Sequence, residues 1–297
     1  MAATRPLLEA MLTSRLQGDH HAWNQAAAGE IGAGAGAGRV ASLLAMASRH
    51  APRGGLEPTP KEFDEARDIL PEWNPERWTI LEAVRVRLLL CAPAPGEAAF
   101  VDLLEECFRY ADDGELSALY RALAHLPDGE RFVWRAGEGC RSNMRHVFEA
   151  VACDSPYAAR YFDEPAWCQL VLKAIFIEAP VWRVAGLDRR LSPELARMAL
   201  DYADERRSAG RAVPPALWLC LGGHAGSRGL EALSREVNSE HASSRAAAAL
   251  GLARAGAGEQ LDELLGRETD PLVRAAIEGA AAGRHDQNAF AVFEGRT

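Results

Sequence analysis

Apolar side chains recur every three and four residues along nearly the whole chain, and no run of strictly alternating β-branched residues bounded by turns interrupts that spacing. A period near 3.6 lays one face of a helix against a core, whereas a period of two builds strands. The spacing therefore predicts an all-α fold. Helices are expected over residues 6–16, 20–30, 39–50, 60–70, 75–91, 97–111, 115–124, 130–153, 164–177, 193–207 and 214–221, with four short ones after Ser227. Several of these segments carry proline in the first turn, where its missing N–H is harmless.

Beyond His224 the sequence turns rich in Ala, Leu and Gly and repeats itself. Leu230–Leu233 precede Arg245-Ala-Ala-Ala-Ala-Leu, and Leu261–Leu264 precede Asp270-Pro-Leu-Val-Arg274-Ala-Ala-Ile, which sets the two arginines 29 residues apart. Such a period reads as short HEAT-like units, whose faces cannot be buried singly and must stack on a neighbour. The expected organisation is an all-helical domain over 1–224, a HEAT-like extension packed on it over 225–283, and a flexible tail over 284–297. The whole is expected to be an α-solenoid-like array of helix pairs.

Charge and motifs remove several function classes. A net charge of -9, with acidic residues interleaved among the arginine pairs Arg189-Arg190 and Arg206-Arg207, opposes binding to a phosphate backbone, so no nucleic-acid partner is expected. The six cysteines never fall two residues apart and four lie in apolar helical runs, which points to reduced thiols in a cytoplasmic protein. No stretch reaches 18 uncharged apolar residues, since Lys173 and Glu178 break the best candidate, so no membrane span is expected. Gly32-Ala-Gly-Ala-Gly-Ala-Gly38 lacks the strand a dinucleotide fingerprint requires and reads as a connection between helices. Asp112-Asp113 has no second acidic cluster and reads as a turn. There is no nucleophile elbow, zincin motif or P-loop. Neither cofactor nor metal is expected.

Polar chemistry concentrates between residues 138 and 190. Met144, Val147, Phe148 and Val151 form one apolar stripe, with Arg141 at its edge and Arg145 and Glu149 on its flank, while His146 falls on the opposite side and is discounted as a ligand. Residues 164–177 are apolar nearly all round, which predicts a buried helix, and its polar positions Gln169 and Lys173 are four apart and share a face. Of 33 basic residues only Lys61 and Lys173 are lysines. A buried amine requires an acidic partner or a depressed pKa, with Glu149, Asp154, Asp163 and Glu164 as candidates nearby in the sequence. Asp154 can cap a segment end, and Asp163, before Glu164-Pro165, reads as a helix N-cap. Two readings stand side by side. One is a structural polar network; the other is a pocket in which Arg141, Asn143, Glu149, Gln169 and Lys173 meet a polar or anionic small molecule.

Four stretches carry a resemblance: Glu138-Gly-Cys-Arg-Ser-Asn-Met-Arg-His-Val-Phe-Glu149; Asp154-Ser-Pro-Tyr; Tyr161-Phe-Asp-Glu-Pro-Ala-Trp-Cys-Gln-Leu-Val-Leu-Lys-Ala-Ile-Phe176; and Gly186-Leu-Asp-Arg-Arg190 with Pro193-Glu-Leu-Ala-Arg-Met. Together with Trp78–Leu90 and Leu119-Tyr-Arg, they make the chain resemble the EboA family over roughly residues 20 to 224. The resemblance implies a part in a bacterial system that makes or moves a small metabolite from the cytoplasm towards the periplasm. EboA-like proteins there are believed to act beside a membrane prenyltransferase, a TatD-like hydrolase and a sugar-phosphate-cyclase-like enzyme. By position, Arg141, Asn143, Glu149, Asp154, Asp163, Gln169, Lys173, Asp188 and Arg189 match the family motif and are the candidate ligand-binding residues. The expected role is non-catalytic, binding a metabolite intermediate or partner proteins. The alternatives are an enzyme acting on a prenylated or cyclitol-like substrate with Glu149 as general base, and a helical-repeat scaffold.

Overall fold

A computed structural model describes residues 4–295; residues 1–3 and 296–297, at the outer ends of the expected first domain and tail, lie outside it. The described residues are helical with no strand, only a single bridge between Gly55 and Thr79. The chain divides into two compact units, Met1–Phe162 and Asp163–Thr297. The boundary expected at residue 224 falls inside the second.

The first unit contains α1 (Thr4–Arg15), α2 (Gly18–Gly32), α3 (Ala37–His50), α4 (Pro60–Ile69), α5 (Ile80–Leu89), α6 (Ala98–Tyr110), α7 (Asp113–Ala122), α8 (Val133–Arg141), α9 (Arg145–Ala152) and α10 (Tyr157–Tyr161). At its centre lies α5, which packs on α1, α2, α3 and α7 and is buried from Ala83 to Leu89. The helix starts at Ile80, not at residue 75. Thr79 and Glu82 form a reciprocal capping box: Glu82 N–H donates to Thr79 Oγ1 at 3.1 Å, and Thr79 N–H donates to Glu82 Oε2 at 2.8 Å. A box of this kind satisfies two orphan donors and fixes the start more firmly than a proline upstream does.

The single helix expected over residues 130–153 is two, α8 and α9, with a break at Ser142–Met144. Ser142 Oγ accepts the Met144 N–H at 3.1 Å, a local bond that competes with helical pairing. Met144 thus becomes the N-cap of α9, while Val147, Phe148 and Val151 keep the buried stripe. Gly139, in the family-like stretch, admits α8 against its neighbours: a Cβ there would lie 2.7 Å from the Tyr120 ring and from Val151 Cγ2. Residues 33–36 join α2 to α3, so the glycine-rich stretch spans that connection and the helix ends beside it, and Asp112 caps α7 in a box with Glu115.

The second unit contains α11 (Glu164–Phe176), α12 (Pro193–Ser208), α13 (Gly226–Glu236), α14 (Ala242–Arg254), α15 (Leu261–Arg267) and α16 (Pro271–Ala281). The helix expected over 214–221 is instead the 3-10 segment Pro215–Cys220. Helix α14 packs on both α13 and α16, and α15 packs on α16. The two arginines 29 residues apart do the same local work. Arg245 Nη1 donates to Ser239 O at 3.0 Å and Arg274 Nη1 to Glu268 O at 3.0 Å, each six residues back in the loop leading into its own helix. Part of the stretch expected as a flexible tail is fastened, because Gln287–Phe293 form a 3-10 helix with Phe290 and Phe293 buried.

Candidate functional site

The nine residues expected to bind ligand fall in both units, Arg141, Asn143, Glu149 and Asp154 in the first and the other five in the second. Arg141 does not enter a dry interior: its side chain is 71% exposed and pairs with Glu138 one turn back on α8. The break after α8 takes it off the apolar stripe of α9, to whose edge sequence spacing had assigned it. Asn143 is exposed within that break. Glu149 accepts from Arg145 Nε at 2.7 Å across one turn of α9, an ion pair rather than an isolated carboxylate. Asp154 is buried in the left-handed conformation (φ 58) just beyond α9, and its carbonyl accepts the Asn74 N–H at 3.0 Å. In the second unit Asp163 caps α11, accepting the Ala166 N–H at 2.9 Å. Gln169 is exposed and Lys173 half-buried on α11, and Asp188 and Arg189 are exposed in the 3-10 turn Asp188–Arg190.

The deepest charges lie elsewhere, on α5 and α7, and site reasoning from sequence overlooked them. Arg85 Nε donates to Leu44 O at 3.0 Å and its Nη2 to Glu115 at 3.3 Å. Arg87 reaches the carbonyl and side chain of Asn24 at 3.1 and 3.2 Å and Glu9 at 3.0 Å; Arg121 Nε reaches Glu82 at 2.8 Å. Burial pushes the Arg85 pKa down and that of Glu115 up. For Glu82 burial acts upward, yet Arg121 and the Thr79 bonds outweigh it and hold the carboxyl below its usual range. Two arginines interrupting the apolar run Ile80–Leu90 were the available signal, of the same kind as Lys173 in α11. Beside them, Trp73 and Trp78 meet His125 edge-on at 4.6 and 5.9 Å, and none of the three rings has a hydrogen-bond partner for its nitrogens among the described residues. Burial drives the His125 pKa down to about 3, so the ring is neutral. This centre holds five helices in register.

The second unit contains a cavity of about 90 Å³ where the C-terminal end of α11 meets α12 and the N-terminus of α14. Its apolar side includes Ile175, Phe176 and Val213; its polar side includes Glu178, Tyr202, Arg206, His241 and Ser244. Tyr202 and Arg206 are four apart on α12 and so share a face. Arg206 Nε is pinned to Ala212 O at 2.9 Å, and no carboxylate among the described residues lies within ion-pair distance of its guanidinium. Its neighbour Arg207, by contrast, pairs with Glu236 at 3.0 Å. Ser244 is 3% exposed, lines the cavity and makes no side-chain hydrogen bond among the described residues. Glu178 is left-handed (φ 58) in a Schellman turn, with Glu178 N–H donating to Ile175 O at 3.2 Å and Ala179 N–H to Ala174 O at 2.8 Å.

The described residues form an all-helical fold, and the lining of its small cavity includes Ser244, Tyr202 and Arg206. No helix among the described residues is long and apolar enough to cross a membrane. The chain belongs to the EboA family, described as metabolite traffic protein EboA, whose family profile matches residues 4–222. No curated protein and no solved structure matches the chain. The family match therefore covers α11 and α12 on one side of the cavity, whereas His241 and Ser244 on the other lie beyond it.

Proposed function

We propose that this chain is a non-catalytic component of a metabolite-traffic system and that it binds a small-molecule intermediate in the cavity between α11, α12 and α14. One observation carries the reading: Ser244, 3% exposed, lines the cavity with no side-chain hydrogen bond among the described residues, and the same lining holds Arg206, which has no described carboxylate at ion-pair distance. A hydroxyl that lines a cavity with its hydrogen-bonding capacity unused is open to a ligand that accepts from it. The reading places the chain on the cytoplasmic side, handing its ligand to other proteins of the system, a membrane prenyltransferase among them. It takes residues 225–283 as a HEAT-like extension, supported by the shared register of Arg245 and Arg274.

Native mass spectrometry of the full chain, purified from cells that express the system, tests the reading. A bound small molecule is expected on the wild type and its loss on Ser244→Phe, whose ring fills the cavity. Retention of the same molecule by a folded Ser244→Phe protein would exclude the cavity as its site.

A further inference from the structure

Two helices in the same register begin differently. Asp270 is the N-cap of α16, and its carboxylate accepts from Leu272 N–H at 2.9 Å and Val273 N–H at 3.4 Å. Twenty-nine residues earlier, the N-cap of α14 is His241, with closely similar backbone angles (φ -84, ψ 122 against φ -71, ψ 126) and no side-chain cap. The first turn of any helix leaves N–H groups without intrahelical partners and concentrates positive potential there. At α16 the chain supplies the answering carboxylate itself. At α14 the turn is uncapped and borders the cavity, with Ser243 and Ser244 on it and Arg206 among the residues lining it.

Resting on the reading that this cavity binds the metabolite, we propose that its ligand presents an oxyanion, a carboxylate or phosphoryl group, which caps α14 as Asp270 caps α16. The hydroxyl of Ser244, a buried residue whose side chain has no hydrogen-bond partner among the described residues, donates to it, and Arg206, its Nε held by Ala212 O, offers the outer N–H groups of its fork. Size agrees. A space of about 90 Å³ exceeds what one water needs and falls short of the ~150 Å³ cavity that takes benzene, so it suits a head group of a few heavy atoms. The rest of the ligand leaves past Phe176, which is 70% exposed at the rim. Glu178 also lines the cavity and opposes an anion, so it sets an upper limit on affinity that its removal should lift.

Amide chemical shifts of the full chain, titrated with inorganic phosphate, acetate and the uncharged acetamide, decide the matter. Phosphate and acetate are expected to move the Ser243 and Ser244 amide signals while acetamide leaves them in place. Arg206→Met should weaken both anions roughly tenfold or more, the loss of one charge-assisted bond. His241→Asp, which supplies an internal carboxylate, should abolish the response without lowering the melting temperature, and it carries the test should Arg206→Met not fold. Acetamide matching acetate at these amides overturns the oxyanion assignment and leaves the cavity as a binding site. Anions acting equally on wild type and His241→Asp also overturn the assignment, and silence from all three probes removes both the assignment and the reading beneath it.

Discussion

The carboxylate of Asp188 accepts a hydrogen bond from Arg254 Nη2 at 2.5 Å and one from the backbone N–H of Gln287 at 2.9 Å. The first partner lies on α14 and the second in the C-terminal 3-10 helix, so one side chain inside the family match fastens two segments outside it. Gln287 returns the contact by accepting the Asp188 N–H at 3.2 Å and donating to Trp182 O at 2.8 Å. Asp188→Ala should therefore cost about 1.5–3 kcal/mol, the range for hydrogen bonds to a charged group. Limited proteolysis should cut residues 285–295 faster in the variant. Equal cutting rates would show that Phe290 and Phe293 alone anchor the segment.

Stability should fall with acid through His125. Its pKa is near 6.5 in the unfolded chain and about 3 when folded, because burial disfavours the charged form. The sign follows directly: between those values the unfolded state binds the proton and the native state does not, so stability is full above pH 6.5 and drains away as pH falls towards 3. The slope should approach about 1.4 kcal/mol per pH unit. His125→Phe should flatten the difference in melting temperature across that window. It should also cost little at neutral pH, since it removes two buried nitrogens that have no partner.

Helical periodicity made the fold class legible from sequence, and local chemistry made several boundaries so: Asp163 caps α11 because a carboxylate before Glu-Pro is a strong start signal. The break between α8 and α9 was not legible. It turns on one serine hydroxyl, and Ser142 and Asn143 each fit a helix by spacing alone. Residue choice at the site failed for a related reason. Lys173 stood out by its rarity, whereas Arg85, Arg87 and Arg121, all buried, hid among many arginines. Ser244 and Arg206 line one cavity only through tertiary packing, a fact without a sequence signature. The 29-residue register was visible, and stepping back from Asp270 by that interval leads to His241.

Breaking one partner of a buried ion pair is expected to be costly in the first unit. Arg121→Met leaves the Glu82 carboxylate enclosed, with side-chain exposures of 9% and 14% for the pair. The loss should be about 3–5 kcal/mol by chemical denaturation. Adding Glu82→Gln, which keeps an acceptor for the Thr79 cap, should recover part of that loss because no charge is then stranded. A double variant no more stable than the single would mean that the guanidinium acts mainly by packing over the Trp78 ring, 5.6 Å away.

Glu178 holds a backbone conformation that glycine prefers. A left-handed residue at the end of α11 costs an L side chain about 1–2 kcal/mol, and its Schellman bonds fix that conformation. Glu178→Gly should therefore raise stability by up to about 1 kcal/mol after its greater unfolded-state entropy is counted. The same change removes the one carboxylate lining the cavity, so phosphate should bind more tightly. Glu178→Gln separates the two effects: it should tighten phosphate to a similar degree while leaving the strain, and hence the melting temperature, close to wild type. A stability gain in Glu178→Gln equal to that in Glu178→Gly would assign the cost to charge instead of backbone geometry.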